Sequence, residues 1–202
     1  MRDVGRFHHE VSLALSRIAA DAAITDEPEE ALWLTTRMLP SLLGDRDAAT
    51  DPTNLPEGAR PQSACTAFMR TPDGRYHLIT APVNFAPEQY HEKVAINLGH
   101  PGHVAATQRP LLLRDTSHHT SFVKILQTFR AGSAVQTPML WRGRSIGVLI
   151  CANAARNTFA EIDLLAMQAF TGLAAAVWIA SGGPAWLETL DYAKLPERLT
   201  GS

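Results

Sequence analysis

Five of the eight histidines in this 202-residue chain fall between His91 and His119. Imidazole ligates transition metals and haem iron, and it titrates near neutral pH. His100 and His103 stand three apart, so both rings share one face if the segment is helical. His118 and His119 are adjacent and would diverge from a loop. A metal or haem site here would draw on His100, His103 and His119. The plainer alternative has these imidazoles bonding backbone groups in loops and at helix starts; a third has one of them touching an organic ligand. The stretch from Pro82 to Phe129 also holds Phe85, Tyr90, Asp115, Phe122 and Phe129.

The remaining chemistry is sparse. Cys65 and Cys151 are far apart and sit in apolar, strand-like surroundings. That excludes a disulfide framework and a zinc site of closely spaced thiolates. If their strands are neighbours, the thiols come close enough for a redox pair; the default for both is a buried, inert thiol. Asp115 either faces a pocket or caps the loop before Ser117, and capping is favoured. Asp163 suits the positive end of a helix. No nucleophile, base and orienting group form a recognisable pattern, and no glycine loop for phosphate is present. Net charge is −2 with scattered basic residues, which leaves no electrostatic footprint for nucleic acid. Arg142 and Arg144 flank a turn, and Trp141 and Trp178 read as packing anchors.

These residues need elements to hold them. Phe7, Val11, Ala14, Leu15, Ile18 and Ala22 recur at helical spacing, which predicts a helix over residues 3–23. Thr25 or Asp26 can cap a second helix, with Pro28 in its first turn and Gly44 as its stop. Residues 45–62 carry Pro52, Pro56, Gly58 and Pro61, which predict a loop without regular structure. Residues 64–70 and 75–80 form a hairpin about Thr71-Pro72-Asp73-Gly74. Residues 81–97 read as irregular or partly helical. A short helix from His100 precedes the strand Pro110–Leu113, and Phe122 opens a helix ending near Gly132. Ser133–Trp141 and Ser145–Cys151 make a second hairpin about Gly143. A long helix runs from Glu161 to Ile179, capped by Thr158. Gly182-Gly183-Pro184 ends it, and a partly ordered tail follows with a short helix around Trp186 to Tyr192. No signal peptide is visible at Met1-Arg2-Asp3-Val4-Gly5. The apolar run Leu173–Ala180 is shorter than the ~20 residues of a membrane span. The chain therefore reads as cytoplasmic, without a membrane partner. Two hairpins flanked by terminal helices imply an α+β fold: one antiparallel sheet with helices on one face.

In this order the pieces resemble a GAF domain, a regulatory module that binds small molecules. The resemblance covers Pro28 to Ala180. It rests on Gly99-His100-Pro101-Gly102-His103-Val104-Ala105 before Pro110-Leu111-Leu112-Leu113-Arg114-Asp115, on the hairpin Ser133–Ala152, and on the start of the last helix at Phe159, Asp163, Leu164, Leu165 and Ala169. It implies a central antiparallel sheet with terminal helices on one face and loops or short helices covering the other. Residues 1–25 would be an N-terminal helix able to dimerise, 26–180 the domain, and 181–202 a tail. The family's ligand pocket lies between sheet and cover, which here implies Phe85, Tyr90, His100, His103, Asp115, His118, Phe122 and Phe129 as ligand-binding residues. Gly147, mid-strand, would admit a close backbone or ligand. The family's terminal helices often pair between subunits, which implies a homodimer. One subfamily reduces free methionine sulfoxide with cysteines in the covering loops, and bilin-binding members attach pigment to a cysteine there. This chain has no cysteine between residues 66 and 150, so neither is expected. The expected function is a non-catalytic sensor that binds a small-molecule ligand and signals in trans to a separate output protein. The alternatives are a metal- or haem-binding protein using the histidine-rich loop 91–119, and a structural dimerisation module without ligand. No cofactor is assigned.

Overall fold

The computed structural model describes residues 2–117, 119 and 123–198. The helical stripe at the start folds as α1 (Val4–Ala22), burying Phe7, Val11, Ala14 and Ile18. Asp3 caps it by accepting from the Arg6 N–H at 3.0 Å. α2 (Pro28–Thr36) starts at its proline behind Glu27, without a side-chain cap from Thr25 or Asp26. The single helix expected through Leu43 is broken. The Pro40 ring would collide with the carbonyl four residues back, so α2 ends at Thr36 and the chain restarts as α3 (Leu39–Leu42). The next segment, expected to lack regular structure, begins with α4 (Arg46–Thr50). Asp45 caps it by accepting from Asp47 N–H and Ala48 N–H.

β1 (Ser63–Arg70) and β2 (Tyr76–Val83) are the first hairpin. A 3-10 turn at Pro87–Gln89 leads into β3 (Lys93–Ala95), a strand in a segment read as irregular. α5 (Gly99–Thr107) and β4 (Leu111–Leu113) follow. The helix expected from Phe122 to Gly132 does not form over residues 123–132. Ile125, Leu126 and Phe129 are spaced like one helical face, but an irregular path brings all three down on the sheet, each buried. β5 (Ser133–Trp141) and β6 (Arg144–Asn153) form the second hairpin. α6 (Glu161–Ala180) is capped through Asp163, not Thr158: its Oδ2 accepts from the Ala160 N–H at 2.9 Å. α7 (Gly183–Glu188) starts earlier than the tail helix expected at Trp186.

The six strands are all antiparallel, in the order β3-β2-β1-β6-β5-β4. Alternation splits each central strand between two cores. Cys65, Ala67, Met69, Val135, Met139, Leu149 and Cys151 pack with Phe7, Ile18, Leu32, Met167, Phe170 and Trp178 of the helices. Ala64, Phe68, Ala134, Val148 and Ala152 face α5 and the loops. Gly147 sits where a Cβ would lie 2.6 Å from the Phe68 carbonyl oxygen, the close backbone approach expected there. α6 has the length and composition to cross a membrane, more than the run Leu173–Ala180 suggests. Half of it is buried, packed on β5 and α2.

Two polar fastenings tie distant segments. The buried Asp163 accepts from Arg2 Nη1 at 2.5 Å and from the Gly44 N–H at 2.8 Å, while Arg2 Nη2 donates to the Leu42 carbonyl at 2.9 Å. Beyond α7 the chain returns to the sheet edge. The Lys93 N–H donates to the Pro196 carbonyl at 2.7 Å, and the Arg198 N–H to the Lys93 carbonyl at 2.9 Å. The tail is thus laid along β3 as far as Arg198.

Candidate functional site

The register stacks two short rows on the cover side of the sheet. Ala64, Ala152 and Ala134 are neighbours across β1, β6 and β5; Thr66, Ile150 and Gln136 form the next row. Phe68 continues the β1 side. The alanine row leaves space that larger side chains would fill. Above it lie Phe85, His100 and Pro101 of α5, Ile125, Leu126, Phe129 and Ala131. With Val123 and Lys124 at the solvent side, they line a half-open cavity of about 60 Å³.

The cover is fastened by side chains. Gln89 is fully buried; its Nε2 donates to the Ile125 carbonyl and its Oε1 accepts from the Gln127 N–H, both at 2.9 Å. Thr128 donates to the Asn84 carbonyl at 2.8 Å. From the tail, Arg198 donates to the Lys124 carbonyl at 3.1 Å and to Glu92 at 3.0 Å. These bonds satisfy backbone groups that a helix would have paired. Gly102 lets α5 sit tightly over the preceding loop, since a Cβ there would lie 2.4 Å from the Asn97 carbonyl carbon.

Polar groups in the lining are few. Thr66 donates its hydroxyl to the Thr80 carbonyl at 2.9 Å. Gln136 is 5% exposed, and its Oε1 has no hydrogen-bond partner among the described residues. Buried polar atoms are nearly always paired, so such an oxygen invites explanation. His100 is buried beside His119, with ring centroids 5.5 Å apart. Burial, then His119 and His103, push its pKa below the ordinary value, which keeps the ring neutral. Lys124, on the cover, is exposed.

Among the residues singled out from sequence, Phe85, His100 and Phe129 converge on the cavity. His103 is exposed on α5. Asp115 accepts from the Ser117 N–H at 2.8 Å and hydroxyl at 2.6 Å, the capping arrangement, with Arg156 3.9 Å away. Tyr90 stands elsewhere: its hydroxyl donates to Glu29 at 2.6 Å and its ring stacks on His91. Glu29 also bonds His91 Nε2 at 3.0 Å and accepts from the Ala81 N–H at 3.1 Å. Burial alone would raise the Glu29 pKa; these bonds outweigh it and hold the carboxyl below its usual value. The histidine cluster is therefore divided between the helix side and the cover side. His118 and Phe122 lie outside the described residues. Among the described residues no three histidine, cysteine or acidic side chains gather to hold a metal.

Gln136, Thr66, Gln89 and the alanine row were not singled out. Gln136 carried a signal: it is a polar side chain in phase with Ala134 within an otherwise buried strand. Two other buried groups lie outside the cavity. Cys65 and Cys151 are register partners on the helix side, both free thiols; burial, then Cys151, pushes the Cys65 thiol well up. His77 on β2 is 1% exposed with neither ring nitrogen partnered among the described residues. Burial, then Arg70, lowers its pKa to about 4.

The model of the GAF domain family matches residues 27–178. No curated protein matches the chain. Among solved structures it is similar to the GAF domain of a phosphoenolpyruvate-protein phosphotransferase from Coxiella burnetii, at 17% identity and a TM-score of 0.71, covering 87% of this chain and 96% of that one. A GAF domain of a phosphoenolpyruvate-protein phosphotransferase from Acinetobacter gives 16% identity and a TM-score of 0.66, over 84% and 93%. A free methionine-R-sulfoxide reductase from Neisseria meningitidis, solved with its substrate, gives 14% and 0.64, over 86% and 93%.

Proposed function

This chain belongs to the GAF domain family, and from that membership we propose that it is a non-catalytic sensor whose small-molecule ligand occupies the cavity between the sheet and its cover. The observation that carries this reading is the half-open apolar cavity between the sheet and its cover, floored by alanines. Such chambers, mostly apolar with few polar groups, are what ligand sites look like. The similarity to a sulfoxide reductase raises an enzymatic reading. The two thiols argue against thiol chemistry at this cavity, because both lie on the opposite face of the sheet.

Ligand entry would move residues 123–131, and Gln89 and Arg198 would pass that movement to the β2–β3 loop and the tail. That movement would be read out at the tail and the β2–β3 loop. We also propose a homodimer through the terminal helices, covering the exposed Leu13 of α1 and Leu165 of α6; sedimentation at rising concentration tests it. A thermal-shift screen of metabolites tests the sensor. A ligand at 100 times its Kd stabilises by about 2.7 kcal/mol, and it should also slow amide exchange over residues 123–131. A screen in which no chemical class shifts the melt refutes the reading.

A further inference from the structure

We propose that the groove between the strand ends and the α6–α7 corner docks an acidic linear segment of a partner protein, one that carries an apolar side chain among its carboxylates. The first observation is charge left without a counterion. Arg2, Arg6, Arg37, Arg75, Arg156 and Arg198 each pair with an acid. Arg70, Arg109, Arg142 and Arg144 are exposed, and their guanidinium groups have no hydrogen bond or ion pair among the described residues. The fold gathers these four at one end of the sheet. Arg70 ends β1 and Arg144 starts β6, whose Gly147 is the register partner of Met69. Gln108 Nε2 donates to the Gly143 carbonyl at 3.4 Å, which brings the neighbouring Arg109 to the same turn. Crowded like charges repel, so this arrangement gains nothing for the chain alone and gains from an acidic partner. The second observation is shape. From the strand ends Arg70, Arg144 and Ile146, and from the helix corner Trp178, Pro184 and Leu187, line an open groove of about 490 Å³. Carboxylates can meet the arginines there while an apolar side chain lies on the corner. The third is extent. An open groove does not bury most of a small molecule, and Arg109 and Arg142 carry the charge beyond its lining. A nucleic acid fits less well. Glu188 lines the groove and repels a backbone charged at every unit, whereas a peptide can set a neutral residue opposite it. Trp178, the aromatic residue in the lining, is buried and offers bases no stacking face.

The test titrates the full chain with a fluorescein-labelled hexapeptide of alternating glutamate and leucine, its counterpart with glutamine for glutamate, a thymidine hexanucleotide, and inorganic phosphate. Anisotropy is read at an ionic strength of about 0.01 M, where charges act over ~30 Å, and at about 0.15 M, where they act over ~8 Å. Backbone amide NMR maps the contact. The acidic peptide should bind about tenfold tighter than the glutamine peptide, weaken at the higher salt, and shift amides within residues 70–72, 144–146 and 183–188. Arg70→Glu and Arg144→Glu should each weaken it about tenfold. Both side chains are exposed and unpaired, so the variants should melt like wild type; Arg144→Gln, with a smaller loss, serves if a reversal unfolds. Pro184→Glu, at the apolar corner, should weaken the peptide too. Arg60→Glu makes the same charge change beyond the other end of β1 and should leave binding unchanged. No binding of the acidic peptide at low salt, equal affinity for the glutamine peptide, equal weakening by Arg60→Glu, or shifts confined to another surface overturns the proposal. So does phosphate binding as tightly as the peptide, which marks a small-anion site, or tighter oligonucleotide binding, which marks a nucleic-acid surface. Self-association of the wild type that Arg144→Glu abolishes overturns it in favour of a contact between copies. None of these outcomes bears on the cavity, which shares no lining residue with the groove.

Discussion

Replacing His77 with leucine should remove about 2 kcal/mol of the stability that the protein loses between pH 8 and pH 5. The imidazole is 1% exposed on β2 with both nitrogens unpartnered among the described residues, and Phe68 lies 5.9 Å away between ring centroids. A proton there would be buried near Arg70, which is why the pKa falls to about 4 from the usual 6.5. In the unfolded chain the ring protonates first as pH drops. Folding stability is therefore complete above pH 6.5 and declines as pH falls through 6.5 toward 4, with no further loss from this group below that. The depressed pKa corresponds to about 3 kcal/mol in all, of which about 2 kcal/mol is gone by pH 5. Urea denaturation at pH 8 and pH 5 measures it. The wild type should lose about 2 kcal/mol more than His77→Leu between the two pH values. His100 and the carboxylates titrate in both proteins and cancel in the difference. At pH 8 the variant should be as stable as wild type or more so, because it buries no unpaired nitrogen. Parallel pH profiles for the two proteins would refute the reasoning.

Three further outcomes follow from the packing. Asp163→Ala strands the Gly44 and Ala160 N–H groups and the Arg2 guanidinium, so it should cost about 3 kcal/mol in chemical denaturation. Arg2→Ala should cost about 1 kcal/mol, and the double variant should cost less than the sum. Gln89→Ala removes both bonds that seat residues 125–127. Amide exchange should accelerate over residues 123–129 while β1 and β6 stay protected; uniform acceleration would mean that the cover is not an independent unit. Cys65 and Cys151 are wholly buried and should resist a thiol reagent in the native state, then both react on unfolding. Rapid native labelling of either would contradict the packing.

Much of this architecture could be read from local pattern. Both hairpins, α1 and α6 announce themselves through period and turn chemistry, because each is decided by residues close in the chain. β3 escaped notice because three residues, Lys93-Val94-Ala95, show no alternation; it is a strand because β2 offers an edge. The α2–α3 break turned on Pro40 alone. The cover segment misled because Ile125, Leu126 and Phe129 match a helical face, and only tertiary context shows them roofing a cavity. The cavity was the least legible part. Its floor comes from the register of β1 against β6, which no local window contains. The histidine cluster drew attention by composition, yet His91 and His100 serve different faces of the fold.

The position of β1 between β2 and β6 also bears on the order in which the protein is made. A ribosome delivers β1 and β2 early, and their hairpin can close at once. The other edge of β1 stays open until β6 emerges, through all of residues 71–143. During that interval a strand with six consecutive residues destined for burial presents unpaired backbone and apolar side chains, the template on which chains pair with one another. Release of a chain short of Asn153 leaves that edge bare, so the second hairpin is what closes the sheet against pairing with other chains.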